Sequence, residues 1–400
     1  MNQPGPARRP PPNQPATDRP DTDLPPPNLP ATDLPAMDVA GRLPRLRAAL
    51  DAAGCDALLV TNLKNIRYLT GFTGSAALLL VAPEELLFVT DGRYQVQSAD
   101  QLARAGVQAE IAVGAGPAQR DAVAAAAAGI GRLGLEATNV TWAAQRTYSR
   151  DWFPDTELVP TMGVVEVLRR VKDAGEVARI GEAARIADAA LARVRPMLTT
   201  GLTEVEFGQA LDFEIRRLGA TGNSFETIVA SGPNGARPHH RPSPRRIGAG
   251  ELVVLDFGAV VDGYCSDITR TVSVGDPASA TLERMVEVVG ASQAAGVAAV
   301  RAGATSAEID QACRQTIARL EPDWAAAFVH STGHGVGLDI HEAPAVSATS
   351  PDTLAVGHVV TVEPGVYLPE HGGVRIEDTV VVTETGCTPL THAPKELIVR

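Results

Sequence analysis

Apolar and polar positions alternate along the chain with two periods, and the regular patterns begin near Gly41. RLPRLRAALDAAGCD has helical spacing and ends at Gly54, and ALLVTN follows as a buried strand. NIRYLTG, AALLLVAP and ELLFVTDGRY have the composition of further strands. The next runs, QVQSADQLARAG, AEIAVG and QRDAVAAAAAG, indicate a helix, a strand and a helix. This alternation predicts a compact α/β domain over residues 41–165.

A different order of elements begins near Val165 and continues to the end of the chain. Two segments with helical spacing come first. The second, LTEVEFGQALDFEIRRLG, opens on Thr203 with Glu206 three positions later, which is the pattern of a capping box. Strand-like runs follow, then two more helical segments, and then strands again. We therefore predict an α+β domain over residues 172–400 that is built from two helix–helix–strand halves.

The first 38 residues differ from both domains, because they are rich in Pro, Asp, Asn and Thr and offer little apolar surface to bury. We predict that residues 1–38 are disordered, with a proline-rich docking ligand as the alternative. The segment also lacks the apolar core of a secretory signal.

Composition restricts the partners of the protein. The chain has 400 residues and a formal net charge of −12, and a nucleic-acid surface would instead need clustered Lys and Arg. No apolar run reaches the roughly 18 residues of a membrane span. The four cysteines are scattered without a CxxC pattern, which favours reduced thiols. These observations predict a cytoplasmic protein that binds neither nucleic acid nor membrane.

Two carboxylates belong to the predicted hairpin LDFGAVVDGYCSDITR, whose turn is the Asp-Gly pair at 262–263. With a two-residue loop, Val261 faces Tyr264 and Asp256 lies opposite Thr269. Side chains alternate between the faces of a strand, so Asp256 and Asp267 share one face in diagonal positions. Two inward carboxylates at this distance repel each other unless a cation lies between them.

A second pair of carboxylates occurs in TVEPGVYLPEHGGVRIED. If this hairpin loop has an odd number of residues, Glu363 lies opposite or near Glu377. Two divalent ions would neutralise four carboxylates, and oxygen ligands with one imidazole suit Mn, Fe, Co or Zn. Two such ions can share a bridging hydroxide that acts on an acyl carbonyl. The residues alone therefore indicate a binuclear metallohydrolase.

The order of these motifs resembles the metallopeptidases of the pita-bread fold, which include aminopeptidase P, prolidase and methionine aminopeptidase. The resemblance rests on D-x10-D, TGHGVGLDIHE, TVEPGVY and GVRIEDTVVVT, and it covers about residues 172–400. It implies two divalent ions, with Mn2+ expected and Co2+ or Zn2+ as alternatives. The implied metal ligands are Asp256, Asp267, His334, Glu363 and Glu377.

The resemblance also implies roles for the side chains around the metals. SGPNGARPHH is similar to the SGxNxAxPH segment of the proline-specific branch, whose first histidine lies beside the substrate and corresponds to His239. His341 is similar to a second substrate-side histidine that stabilises the oxyanion, and Glu363 to a ligand that is also the general base. His330 and Arg375 resemble residues that line or orient the substrate pocket. The structural alternatives are a satisfied core histidine at position 330 and a salt bridge from Arg375 to one of the acids.

Residues 41–165 resemble the amino-terminal domain that creatinase, aminopeptidase P and prolidase share and that typical methionine aminopeptidases lack. The expected function is hydrolysis of the Xaa-Pro bond at the N-terminus of peptides by a metal-bridging hydroxide, in a homodimer. The alternatives are prolidase, which is restricted to dipeptides, and a non-catalytic binding protein on the same fold. Creatinase works without metal, and the complete ligand set argues against it.

Overall fold

The computed structural model describes residues 34–400, and a six-stranded mixed sheet forms the first part of this region. Its strand order is β4-β3-β2-β1-β5-β6, with β1 antiparallel to β2 and parallel to β5. The strands are β1 (Ala57–Val60), β2 (Ala77–Val81), β3 (Leu86–Thr90), β4 (Glu110–Val113), β5 (Arg132–Glu136) and β6 (Glu157–Thr161). The helices of this part are α1 (Arg42–Leu50), α2 (Leu63–Thr70), α3 (Gln95–Arg104), α4 (Pro117–Ala126), α5 (Trp142–Thr147) and α6 (Val164–Arg169). The predicted α/β domain is confirmed.

One prediction within this part was wrong, because NIRYLTG forms most of helix α2 and not a strand. The Asn62 side chain accepts a hydrogen bond from the Lys64 amide at the helix start. Gly71 ends the helix with φ 73° and donates its N–H to the Arg67 carbonyl. Capping groups at both ends and a buried face that contains Ile66 therefore outweigh the strand propensity of Ile, Tyr and Thr.

The remainder contains two pairs of packed helices, each covering its own sheet. The helices are α7 (Ala174–Val194), α8 (Glu204–Arg217), α9 (Ala280–Ala299) and α10 (Ser306–Leu320). The strands of the first half are β7 (Gly222–Asn223), β8 (Ile228–Ser231), β9 (Leu252–Phe257), β10 (Ala259–Val261), β11 (Tyr264–Cys265) and β12 (Ile268–Val274). Those of the second half are β13 (Gly333–Gly335), β14 (Glu342–Val346), β15 (Val359–Val362), β16 (Gly365–Leu368), β17 (Gly372–Arg375), β18 (Asp378–Val382), β19 (Cys387–Pro389) and β20 (Ile398–Val399).

The sheet order shows how the two halves meet. Strands β12, β9 and β8 of the first half form a four-stranded sheet with β20 of the second half, in the order β20-β12-β9-β8. The second half also forms the five-stranded order β14-β13-β15-β18-β19. The hairpin β16-β17 and the three strands β11-β10-β7 complete the region. Helices α7 and α8 bury apolar faces on the first sheet, and α9 and α10 do so on the second. The predicted arrangement of two helix–helix–strand halves is confirmed.

The duplication extends to individual residues at the start of α8 and α10. Thr203 and Thr305 each close a capping box, and each forms an isolated β-bridge, to Arg246 and to Thr353 respectively. The buried faces of the two helices also match, since Phe207, Leu211 and Ile215 on α8 have Ile309, Cys313 and Ile317 on α10 as counterparts. The same capping residues and the same spacing of apolar positions therefore produce the same helix start in both halves.

The interface between the N-terminal sheet domain and the rest of the chain contains buried charge. Arg42 is 1 % exposed and donates to the Tyr68 carbonyl and to Asp173. Arg169, at the end of α6, donates at 2.6 Å to both Asp339 and Glu342. Because Asp339 lies within the loop that follows β13 and Glu342 lies at its end, the domain interface fixes that loop in place.

Residues 34–38 contact the folded domains, although the sequence analysis assigned them to the disordered segment. Leu34 and Met37 pack against two of the apolar clusters. The Pro35 carbonyl accepts a hydrogen bond of 2.8 Å from Arg179 on α7. The prediction for residues 1–33 lies outside the described residues.

Deleting residues 1–33 should leave turnover of an Xaa-Pro peptide, the substrate expected from the sequence, unchanged within about twofold. This corresponds to a change in the activation barrier below about 1 kcal/mol. The reason is that the segment contains none of the candidate ligands. Deletion through residue 38 should also lower Tm by a few degrees, because it removes the contacts of Leu34 and Met37. Thermal melts and initial rates of the two truncations measure both effects. Equal Tm values for the two truncations would contradict the contribution of residues 34–38.

Within residues 34–400, none of the helices combines the length and the apolar character that a membrane crossing requires.

Candidate metal centre

The first pair of carboxylates lies on a hairpin with the predicted register. Val261 pairs with Tyr264, and Asp256 with Thr269. Asp262 and Gly263 have φ of 46° and 77°, which are the two positive values that a type I′ turn requires. The Asp-Gly turn therefore fixes the register of β9 and β12, and through it the common face of Asp256 and Asp267.

The second pair lies in the other half, where Glu363 directly follows β15 and Glu377 directly precedes β18. Val362 pairs with Asp378 across β15 and β18, and Gly365 pairs with Arg375 across β16 and β17. Because these pairings have a common register, Glu363 is level with Glu377. The residues between Leu368 and Gly372 form the odd-numbered loop that the sequence analysis required.

The two hairpins bring their acids into one cluster. One carboxylate oxygen from each of Asp256, Asp267 and Glu377 lies within 4.8 Å of the others. His334 Nε2 is 3.5 Å from Asp267 Oδ2 and 3.4 Å from Glu363 Oε1. The predicted ligand positions therefore converge on one point between the halves of the fold.

Burial and mutual repulsion raise the pKa of several of these carboxyls. For Asp267, burial is the largest cause and the charges of Glu377 and Asp256 add to it, so that its pKa lies well above the usual value. Burial raises the pKa of Glu363 to about 8, and burial followed by the neighbouring charges raises that of Glu377. Without a cation, ionising the whole cluster is unfavourable.

The chemistry of the donor set fits divalent cations. Asp256 Oδ1 is buried and has no hydrogen-bond partner among the described atoms, so a lone pair is available for a cation. His334 Nδ1 lies 3.0 Å from the Gly335 carbonyl, which can only accept, so this nitrogen bears the proton. Burial lowers the pKa of His334 and keeps the ring neutral. Its Nε2 lone pair therefore faces the carboxylates, as a metal-ligating imidazole requires.

Arg375 is buried against the same cluster. It forms an ion pair with Asp256 and donates to Thr269 Oγ1 at 3.2 Å and to Tyr367 Oη at 2.8 Å. Burial would lower its pKa, but its interactions with the Tyr367 hydroxyl and with the charged Asp256 raise it well above the usual value. The salt-bridge alternative for Arg375 is the arrangement that the structure contains, and the residue also lines the cavity.

His330 has both ring nitrogens engaged. Nδ1 faces the Ser331 carbonyl at 2.8 Å, and Nε2 accepts from Tyr367 Oη at 2.8 Å. Burial lowers the pKa of His330 to about 4, so the ring is neutral. A chain of hydrogen bonds therefore runs from Arg375 through Tyr367 to His330.

The other two candidate histidines are more exposed. The His341 ring packs edge-on against His334, with centroids 4.2 Å apart, and burial lowers its pKa. His239 lies on the loop after β8, and its neighbour His240 turns inward and contacts Glu204 at 3.0 Å. Both histidines line the cavity, but His239, which the sequence analysis placed beside the substrate, is exposed and His240 is buried.

All of the predicted site residues line one cavity of about 400 Å³. Sequence reasoning missed several neighbours, such as Tyr367, Thr269 and Arg241. Thr269 donates to Glu377 Oε2 at 2.7 Å, and its position two residues after Asp267 on one strand face is a signal that could have identified it. Arg241 forms an ion pair with Glu226 at the exposed edge of the cavity, for which the sequence contained no signal.

Known proteins similar to this chain share both of its parts. Residues 178–384 match Metallopeptidase family M24, and residues 42–171 match the Creatinase/Prolidase N-terminal domain. The uncharacterized peptidase YqhT of Bacillus subtilis is 43 % identical over 90 % of this chain and 99 % of its own length. The solved Xaa-Pro dipeptidase from Bacillus anthracis is 42 % identical, with a TM-score of 0.86 over 90 % of this chain and 100 % of that one. The X-Pro aminopeptidase from Thermotoga maritima is 34 % identical, with a TM-score of 0.80 over 88 % and 100 %.

The family, the fold and the carboxylate cluster agree with one another. The M24 match spans all five candidate ligands, and the relatives cover nearly the whole chain. The chain therefore belongs to the metallopeptidase family M24 and has the creatinase/prolidase N-terminal domain of that family's two-domain members.

Proposed function

We propose that the protein is an Xaa-Pro aminopeptidase that removes the first residue of peptides with proline in second position. Divalent ions held by Asp256, Asp267, His334, Glu363 and Glu377 would supply a Lewis acid and a water of lowered pKa. The observation that carries the proposal is the convergence of these ligands beside His239 and His341, at the inner end of a cavity with exposed residues at its rim. The names of the similar proteins divide between Xaa-Pro aminopeptidase and Xaa-Pro dipeptidase.

The side chains offer distinct chemical functions to a bound peptide. Glu363, which lines the cavity beside His334, can as a carboxylate take a proton from water and return it to the proline nitrogen as the peptide bond breaks. A neutral His341 can donate its N–H to the carbonyl oxygen as negative charge develops there. His239 lies at the exposed side of the cavity, where it can contact the proline residue.

A free amino end is the second element of the proposed specificity. The cavity is lined by Asp256, Asp267, Glu363 and Glu377, and within residues 34–400 only Asp256 of these four forms an ion pair with an arginine, Arg375. An ammonium or amine group of the substrate therefore meets a site of negative charge or a metal ion. An acetylated amine offers neither charge nor a free lone pair and should bind poorly.

Prolidase activity is the second candidate, and Arg241 is the observation that favours it. The guanidinium lies at the rim, is exposed and is paired with Glu226. If Arg241 released Glu226, its guanidinium could bind the terminal carboxylate of a dipeptide. Amidated and free Xaa-Pro dipeptides differ only in this carboxylate and therefore measure its contribution.

A peptide panel tests the proposal directly. The metal-loaded enzyme should cut Xaa-Pro-Xaa and nearly spare Xaa-Ala-Xaa and N-acetylated Xaa-Pro-Xaa. Release of the first residue is followed by chromatography and expressed as kcat/KM. Cleavage of Xaa-Pro dipeptides alone would identify a prolidase. Cleavage of Met-Ala-Xaa as fast as Xaa-Pro-Xaa would replace the proposal with a methionine aminopeptidase.

We further propose Mn2+ as the working metal, a homodimer, a cytoplasmic location and the domain division 41–165 and 172–400. Oxygen ligands with a single imidazole support Mn2+. Exposed large apolar side chains, among them Trp142, Met162 and Phe213, support self-association. The free thiols support a reducing compartment. Elemental analysis and light scattering of the purified protein test the first two.

A further inference from the structure

A fully buried carboxylate, Glu204, lies behind the loop that carries His239. Glu204 is the first residue of α8, and its exposure is 0 %. Its oxygens accept hydrogen bonds from Ser231 N (2.8 Å) and Oγ (2.7 Å), Asn234 Nδ2 (3.0 Å), His240 Nε2 (3.0 Å), and Ser243 N (3.0 Å) and Oγ (2.6 Å). Every one of these donors belongs to the segment 231–243. Glu204 therefore binds residues from both ends and from the middle of this loop.

The charge of Glu204 is strongly favoured in this setting. Burial alone would raise its pKa, but the hydrogen bonds from Ser243, Ser231 and Asn234 outweigh burial and lower the pKa to about 2. The position of Glu204 at the start of α8 adds the positive end of the helix dipole. Glu204 is therefore an anion at physiological pH, and its donors make charge-assisted hydrogen bonds, which are about twice as strong as neutral ones.

The position of His239 follows from anchors on both sides of it. On one side, the Pro238 carbonyl accepts from Arg375 at 3.3 Å, and on the other, His240 is held by Glu204. The loop is also pressed against strand β17, since a Cβ on Gly373 would lie 1.9 Å from the Gly235 carbonyl oxygen. The His239 backbone is thus fixed between the contact with Arg375 on one side and the contact with Glu204 on the other. Its side chain stays exposed in the cavity.

The other half of the duplicated fold lacks this arrangement. The residue that corresponds to Glu204 after the capping threonine is Ser306, which is buried. Both residues donate their backbone N–H to a carbonyl of the following loop, Arg245 or Asp352. Ser306 Oγ, however, has no hydrogen-bond partner within the described region. Helix capping at this position thus does not require a carboxylate, and the carboxylate occurs in the half that carries His239.

From these contacts we infer that Glu204 is a positioning residue for His239, holding the 231–243 loop so that the imidazole faces the proline side of the substrate. The inference rests on the proposed function, because it takes His239 to contact the substrate. Its physical basis is that a displacement of about 1 Å in a group that touches the reacting peptide can slow turnover up to about 100-fold.

Glu204→Gln tests this role. The amide keeps the size of the side chain, but its NH2 group would face the N–H and O–H donors that now bond to the Glu204 oxygens. The variant should lower kcat on Xaa-Pro-Xaa by about tenfold, with metal content unchanged. In the His239→Ala background the same substitution should cost less than about twofold, since neighbouring residues that act through one group are not additive. Glu206→Gln, which alters the capping box of the same helix end, is the matched control and should leave kcat unchanged.

The double mutant separates positioning from a merely structural role. A tenfold loss that persists in the His239→Ala background would overturn the inference, as would full activity of Glu204→Gln. If Glu204→Gln does not fold, His240→Ala removes a single donor and should give about a threefold loss with the same non-additivity. Wild-type protein without any Xaa-Pro cleavage would overturn the proposed function itself, and this inference with it.

Discussion

Removing the metal should abolish peptidase activity, and adding Mn2+ or Co2+ should restore it. The candidate ligands are clustered carboxylates with raised pKa values and one neutral imidazole, and this set needs cations to be stable in its ionised form. A bound cation contributes several kcal/mol of charge stabilisation to hydrolysis, so the loss should be about 10³-fold or more. Activity after exhaustive chelation, with metal content verified by elemental analysis, measures it. Full activity in metal-free protein would contradict the assignment of the site.

The same cluster predicts how the stability of the metal-free protein depends on pH. Glu363 has its pKa raised from 4.5 to about 8, so the folded protein binds more protons than the unfolded chain between these values. The stability from this group is fully present below pH 4.5 and is lost as the pH rises through about 8. Thermal melts of metal-free protein should therefore show Tm falling over this range, and melts of metal-loaded protein should not. A Tm of metal-free protein that rises from pH 5 to 8 would contradict the raised pKa.

His334→Ala and His239→Ala should fail in different ways. His334→Ala removes an imidazole 3.4–3.5 Å from Asp267 and Glu363, so it should lose metal and, with it, nearly all activity. His239→Ala should keep both metals and slow turnover of the proline substrate by about 100-fold, the usual effect of removing one group that acts in the transition state. Metal content by elemental analysis and kcat on Xaa-Pro-Xaa distinguish the two.

A matched variant and one contrary result make this comparison decisive. His371→Ala changes an exposed histidine in the loop between β16 and β17, outside the cavity lining, and should alter neither metal content nor kcat. If His239→Ala lost metal as His334→Ala does, the division between ligands and substrate-side histidines would be wrong.

Much of the centre could be predicted because its geometry is local. The Asp-Gly turn sets the register of its hairpin, and the side-chain period of a strand then determines which acids share a face. The pairing of Asp256 with Thr269 therefore follows from sequence. The second hairpin required one assumption about loop length before Glu363 could be placed level with Glu377.

Predictions were weaker where competing signals had similar strength. The segment NIRYLTG has the residue types of a strand, but helix α2 forms because Asn62 and Gly71 provide caps and the apolar positions become one buried face. The sequence also contained no signal for the point at which the N-terminal segment begins to contact the folded domains. Residues 34–38 continue the mixture of proline, aspartate and small residues that precedes them, and the surfaces of α7 and the apolar clusters provide their contacts.

The sequence by itself determined the fold class, the two similar halves, the acids of each hairpin and the family resemblance, since all of these depend on local periodicity, turn chemistry and ordered motifs. Only the tertiary structure decided that the two hairpins meet, that Arg375 pairs with Asp256, and that Glu204 gathers the His239 loop. The physical reason is that these contacts join residues far apart in the chain. Their distances depend on how the helices and sheets pack, and no local pattern encodes that packing.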